Sequence, residues 1–461
     1  MAQSKTRLGV SAYAICAFVF VLGSNGVRNL LGWPGFLALA VVLTVFGIVI
    51  FVREKPARFR WYRLPSPLYW FLGLAVLSII WSQYRFETLL GVIAQLATTL
   101  LAVVLAFVLT WQEVLRTLST ALRYLLGLSL VFELFVSLVI KHPLMPLWME
   151  KPEGKTPKLL YWSRDLLFTG GPIQGLVASS VLLGFIALIG LIVFGIQLRA
   201  GLVRPVTGWL WVAVAFGTIL LTRGATVWVA LAACAAGLAL ALWARRLRPE
   251  RRVPLYITAI SLIAAGIAVT LFARDFVFGL LGKSGDLTGR VDTWTKVIGL
   301  AEDRPWFGWG WVSYWPFWTE PFTSLDRKAG LQVMSAHNAW LDVWLQLGIV
   351  GVLVFLPLVA LTVWRVWFRA VDPPRRGFGP ALPYATSALW PYLVMIALIV
   401  QSFTESRLLL EGNWVLLVLI AVKSRYDFQL PSLDAEPKKL AWRRVPIPRD
   451  TGVITLKETQ R

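Results

Sequence analysis

The side chains best suited to proton transfer in this chain head an apolar stretch: Ser335, His337, Asn338 and Asp342 in SAHNAWLDVWLQLGIVG (335–351). His337 is one of only two histidines. The stretch reads as a helix with Ser335 as its cap, because hydroxyl side chains satisfy the free N–H groups of a first turn. The positive end of that helix disfavours imidazolium, so His337 is expected largely neutral and able to accept a proton. The same end attracts anions such as phosphate. The alternative is an interfacial histidine that only hydrogen-bonds a loop carbonyl.

Other ionisable groups occur where apolar runs begin or end. Arg223 lies in TRGATVWVA (222–230), between two runs too close together for an ordinary exposed loop. Glu405 and Arg407 lie in QSFTESRLLLEGNW (401–414) and can simply pair with each other; Arg164 and Asp165 form another polar cluster in YWSRDLLFTGGP (161–172). Charged groups at membrane depth are functional candidates, with snorkelling from a helix end as the alternative. Upstream, GDLTGRVDTWTKVIGLAEDRPWFGWGW (285–311) spaces Val291, Trp294, Val297, Ile298 and Ala301 as on one face of a helix. That predicts an amphipathic surface helix with Arg290 at its start, followed by a turn at Gly308 and Gly310. Trp306, Trp309, Trp311, Trp315 and Trp318 read first as an interfacial aromatic belt, and second as a platform for a sugar.

No nucleotide-binding glycine loop, no D-x-D pair in the extracytoplasmic segments to hold a metal and no G-x-S-x-G elbow occurs. Cys16 and Cys234 sit in apolar runs and read as buried core residues, which leaves no disulfide framework or zinc site. The chemistry expected is therefore free of metal and cofactor, built from Arg, His and a carboxylate.

The elements that must position these groups are membrane spans. Hydrophobic residues make up 57% of the chain, charged residues 15%, and mean hydropathy is +0.69; a soluble domain carries about 25% charged residues. Apolar runs near 8–23, 35–52, 67–81, 88–110, 119–140, 173–195, 205–221, 225–243, 254–273, 338–364, 383–402 and 410–423 predict about twelve transmembrane helices. The net charge of +21 does not signal nucleic acid. Its Lys and Arg cluster between spans, 28 in one set of alternate segments against 16 in the other. The first set includes ARRLRPERR (244–252) and REKPARFRWYR (53–63). The positive-inside rule puts that set, with both termini, in the cytoplasm, and loops 141–172 and 274–337 outside. The expectation is an all-α polytopic membrane domain over 1–425 and a cytoplasmic tail over 426–461.

The ordered set TRGA, GRVDTW, RPWFGWGW and AHNAWLDVWLQLGIVG, spread over roughly 210–410, resembles the O-antigen ligase superfamily of ligases, polymerases and protein O-oligosaccharyltransferases. TRG stands here where SRG is more usual, and the first two hundred residues carry no alignable motif. The resemblance implies a GT-C-like glycosyltransferase of the bacterial inner membrane with a periplasmic site. Its donor is a glycan on undecaprenyl pyrophosphate, and in the ligase its acceptor is a hydroxyl of lipid A–core. Arg223 and Arg290 match the family's arginines, and His337 matches the histidine heading the next span. Trp306 to Gly310 and Asn338 match positions of less defined role, and Asp342, Glu405 and Arg407 are supporting candidates. Polymerase and protein glycosylator share the donor chemistry; a flippase or transporter is the alternative of a different class.

Overall fold

The computed structural model describes residues 2–54, 56, 59–150, 156–272, 288–328, 330–373 and 383–429. The helices are α1 (Ala2–Leu22), α2 (Ser24–Glu54), α3 (Ser66–Leu77), α4 (Arg85–Val108), α5 (Trp111–Phe135), α6 (Ser180–Arg199) and α7 (Pro205–Thr222). They continue as α8 (Ala225–Ala244), α9 (Val253–Phe272), α10 (Thr288–Glu302), α11 (Ala339–Val371), α12 (Leu389–Ser402) and α13 (Glu411–Gln429). A single turn at Phe322–Leu325 and a two-stranded ribbon, pairing Arg327 with Gln332 and Lys328 with Leu331, lie between α10 and α11. Each expected apolar run coincides with a helix, and the stretch expected as an amphipathic helix forms α10, which buries Val297 and Ala301 but leaves Val291 exposed. Among the described residues, seven helices are long and apolar enough to cross a membrane: α2, α4, α5 with its extension to Ile140, α6, α7, α8 and α11. The chain is an all-α, multi-pass membrane protein. The start of the expected loop (274–287) and most of the expected tail (430–461) fall outside the described residues.

Several boundaries differ from expectation for local reasons. Residues 111–118, expected as a loop, begin α5, because Thr110 and Glu113 form a capping box: Glu113 N–H reaches Thr110 Oγ1 and Thr110 N–H reaches Glu113 Oε2. Helix α6 starts at Ser180 rather than 173, because buried Glu133 of α5 accepts from the N–H groups of Gln174 (2.9 Å) and Gly175 (2.6 Å) and holds that segment as a loop. Residues 24–31 are helical, with the break from the rest of α2 at Gly32 (φ +68°). Cys234 is buried, whereas Cys16 is exposed, on the outward face of α1.

Contacts sort the helix ends into two groups. Ile173 N–H bonds Leu221 O at the end of α7, and Trp81 beyond α3 reaches the loop carbonyl of Phe307. Trp318 and Thr319 of the same loop bond Glu87 at the start of α4, and the starts of α2 and α13 meet through Arg28 and Glu411. At the other end, Lys423 caps α4 at Ala106 and Leu109, Arg245 bonds Ala370 and Ala385, and Arg252 pairs with Asp372. The basic segments are thus gathered at the end opposite the long loop.

The long loop is docked by a break in α11. Gly348 adopts φ +70°, which frees two carbonyls and two amides of the helix ladder. Trp309 and Gly310 donate to Leu345 O and Gln346 O, and Ile349 and Val350 donate to Pro305 O and Trp306 O. Interrupted backbone at membrane depth is tolerated where neighbouring chain satisfies it in this way. A Cβ on Gly348 would lie 2.1 Å from Trp306 O, and one on Gly308 2.5 Å from Gln346 C. Gln346 adds a clamp, its Oε1 accepting from Val312 and Ser313 N–H. The tryptophans therefore do not form one belt. Trp311 and Trp315 are fully buried, and Trp315 packs with Val297 and Ala301 of α10 in a small second core, while Trp306 and Trp318 stay exposed.

Gly348→Ala is expected to lower the thermal midpoint of the detergent-solubilised protein by several degrees, since the strained φ alone is worth about 1–3 kcal/mol. Gly299→Ala, on the open face of α10 with nothing within 4 Å, should hold or raise it. Equal midpoints for Gly348→Ala and wild type would refute the docking role of the break.

Candidate functional site

Three segments converge where α11 begins: the start of α10, the residues before α11, and the turn after α12. Arg290, in the first turn of α10, places Nη2 2.7 Å from Glu405 Oε1. His337 places Nδ1 3.0 Å from Glu405 Oε2. Burial opposes ionisation of Glu405, but the His337 hydrogen bond and the charges around it, those of Arg290 and Arg407 included, outweigh it and hold the carboxyl below its usual range. An ionised carboxylate can only accept, so the His337 Nδ1–H donates and the proton-accepting lone pair falls to Nε2. Nε2 has no hydrogen-bond partner among the described residues, and the ring is one-third exposed.

His337 itself sits in the left-handed region, at φ +49°. Its neighbours fix it there. Asp342 takes Ala336 N–H (3.1 Å) and Trp315 Nε1–H (2.9 Å), and Asn338 N–H donates to Ser406 Oγ (3.1 Å). Asn338, not Ser335, is the cap of α11: its side chain accepts from Trp340 and Leu341 N–H. Asn338 has the extended φ of a cap, whereas Ser335 is three residues too early. Asp342 and Asn338 are thus positioning groups one step behind the histidine.

Glu405 and Arg407 do not pair with each other. Arg407 instead donates to Tyr314 Oη (2.7 Å) and approaches Glu411 (3.4 Å). Glu411 also binds Arg28 (2.6 Å) and Ser24, and Arg28 bonds Asn25. Arg28, Asn25, Tyr314, Arg407, Glu405 and His337 line one cavity of about 300 Å³, together with Ser335, Trp33 and Met334, while Glu411 and Ser24 stand behind its wall.

Arg223 lies apart from this network. It ends α7 in the left-handed conformation (φ +49°) and is exposed. Its guanidinium faces Gly170 in the 156–179 segment, where a Cβ would lie 3.7 Å from Nη2. Among the described residues it makes no hydrogen bond or ion pair. Trp306 is exposed on a separate, mostly apolar cavity of about 440 Å³ with Trp81, Arg304 and Phe307. Arg164 bonds Gln174 rather than joining Asp165 in a site. Sequence reasoning passed over Arg28, Asn25, Tyr314 and Glu411. The available signal was Arg28 itself, the one cation between Arg7 and Arg53, set in a polar GSNGVRN interruption.

Because the folded pKa of Glu405 is lowered, its contribution to stability is complete above the unfolded carboxyl value of about 4.3 and is lost as pH falls through the folded one. The melting-temperature gap between wild type and Glu405→Gln should therefore be constant above about pH 5 and narrow towards about pH 3. A gap that does not change with pH would contradict the ionised, shared carboxylate.

Residues 209–356 match the family model described as O-Antigen ligase. No curated protein matches the chain. The matched region holds Arg223, Arg290, His337 and the docked loop; Glu405, Arg407, Glu411 and Arg28 lie outside it.

Proposed function

We propose that this protein, a membrane glycosyltransferase of the ligase and polymerase kind represented by that family match, is an O-antigen ligase. It transfers a glycan from undecaprenyl pyrophosphate to a hydroxyl of lipid A–core. The observation that carries this reading is the His337–Glu405–Arg290 arrangement, of which His337 and Glu405 line the cavity. A histidine oriented through Nδ1 by a carboxylate, with Nε2 left without a hydrogen-bond partner among the described residues and its ring lining a cavity, is equipped to deprotonate a hydroxyl.

In the reaction, the acceptor hydroxyl gives its proton to His337 Nε2 as its oxygen attacks the anomeric carbon. The bond from that carbon to the pyrophosphate oxygen breaks, and the polyprenyl pyrophosphate leaves with the electron pair. Glu405 stabilises the imidazolium that forms, as a carboxylate behind a catalytic histidine does. Arg290 and the exposed Arg223 supply positive charge for the leaving pyrophosphate, for which a guanidinium fork is geometrically suited. Direct displacement inverts the anomeric centre. The pyrophosphate is already activated, so the step needs no ATP, metal or cofactor.

The basic end of the bundle faces the cytoplasm by the positive-inside rule, with both termini and the 426–461 tail. The site then opens to the periplasm across the bacterial inner membrane, and the domain over 1–425 makes twelve crossings. A polymerase or a protein O-oligosaccharyltransferase would use the same residues on a different acceptor. A flippase needs access from both faces; the cavity described here belongs to one end.

The test is transfer from an undecaprenyl-pyrophosphate glycan to purified lipid A–core, with chelator present. Wild type should transfer, and His337→Ala at matched folding should lose about 10²- to 10⁴-fold, the usual contribution of a general base. Undiminished transfer by the variant removes His337 as the base. Conversion of donor into longer polymer would reassign the protein as a polymerase, and an inert donor would favour transport.

A further inference from the structure

The transferase reading assigns the leaving-group charge to Arg223 and Arg290, but neither guanidinium lines the cavity that His337 faces. Two others do: Arg28 from the start of α2 and Arg407 from the turn before α13. Both are held by a single carboxylate, Glu411, at 2.6 and 3.4 Å. Glu405, the carboxylate that lines the cavity itself, is already shared by Arg290 and His337. Among the described residues, one positive charge on the Arg28–Arg407 wall is therefore uncompensated. Both guanidinium-bearing side chains are largely shielded, 12% and 22% exposed, where an unbalanced charge is costly unless an anion arrives.

The wall is also rigid. Arg28 bonds Glu411 and Asn25 and lies against the rings of Trp33 and Phe36, 5.1 and 5.0 Å from their centres. Arg407 is fixed by Tyr314 Oη at 2.7 Å, and Tyr314 is itself partly buried in the cavity wall. A preformed pair of forks loses little entropy on meeting oxyanion oxygens. Trp33 remains partly exposed at the cavity rim, beside Arg28. About 300 Å³ is at the small end of ligand sites, enough for an oxyanion with the sugar portion next to it.

We infer that Arg28 and Arg407 form an oxyanion subsite that receives a phosphate or carboxylate group of one of the two substrates, across the cavity from His337. This rests on the transferase reading above, and the donor's pyrophosphate and an anionic acceptor sugar present the same chemistry to it. The subsite is separate from Arg223 and Arg290, and most of it lies outside the region matched by the family.

The experiment measures binding of inorganic pyrophosphate to the detergent-solubilised full chain by calorimetry, beside transfer kinetics. Arg28→Lys and Arg407→Lys keep the charge and remove the fork. Each should weaken pyrophosphate at least about tenfold, as expected for loss of a charge-assisted hydrogen bond, and raise one KM by a similar factor. A rise in donor KM assigns the subsite to the donor, and a rise in acceptor KM to an anionic acceptor; either supports it. Unchanged pyrophosphate binding in both folded variants overturns it. Should a variant fail to fold, the wild-type structure determined with tungstate decides: density between Arg28 and Arg407 supports the subsite, and density only elsewhere overturns it. Arginine-dependent pyrophosphate binding by a wild type that transfers nothing would leave the subsite standing and remove the transferase reading.

Discussion

Glu405 is one carboxylate with two partners: the Arg290 guanidinium at 2.7 Å on one oxygen and the His337 ring at 3.0 Å on the other. Burial alone would favour its neutral acid, yet these partners keep it ionised, and only the ionised form fixes His337 with Nδ1 as donor and Nε2 as acceptor. The arrangement ties α10 and the turn after α12 to the head of α11. The left-handed backbone at His337 is strained for a non-glycine residue, and it persists because Asp342, Asn338 and Ser406 hold the chain on both sides. The site is thus held by hydrogen bonds between segments far apart in the chain, with a separation of 115 residues for Arg290 and Glu405.

The second constraint is the break at Gly348. A helix crossing a membrane cannot leave backbone groups without partners. In α11 those partners are supplied by the 305–310 backbone, and this docks the loop that leads, through Gln346 and Asp342, to the strand of chain before His337. Glycine is required on both sides of this contact, since Gly308 and Gly348 approach backbone too closely for a Cβ. The spacing of W-F-G-W-G-W and L-Q-L-G-I-V-G is therefore a packing signature as much as a turn signal.

This explains what could be read from the residues and what could not. The apolar runs translate directly into helices because length and hydropathy decide them. The start of α5 was also written locally, in Thr110 and Glu113, and was obscured only because hydropathy rises later. The start of α6 was not local, since it depends on Glu133 reaching Gln174 and Gly175. Arg223 and His337 stood out as charged or titratable groups at span ends, and Arg290 as the head of the amphipathic helix in the long loop. Which carboxylate serves which arginine could not be read, because Glu405 and Arg407, two residues apart, turn to opposite partners. Arg28 belongs to a network completed only when α2 meets α13, 383 residues later. The tryptophans show the same limit: composition suggests an interface, while the loop's docking buries Trp311 and Trp315 and leaves Trp306 exposed.

The central claim is that Glu405 acts through His337. A double-mutant cycle on kcat, using His337→Ala, Glu405→Gln and the double variant, tests it most directly. Groups that act as one unit give losses far from additive. The account predicts that the double variant transfers glycan no more slowly than His337→Ala alone. Losses that multiply, with the double variant slower by the product of the two single effects, would show that Glu405 contributes independently of the histidine and would contradict it.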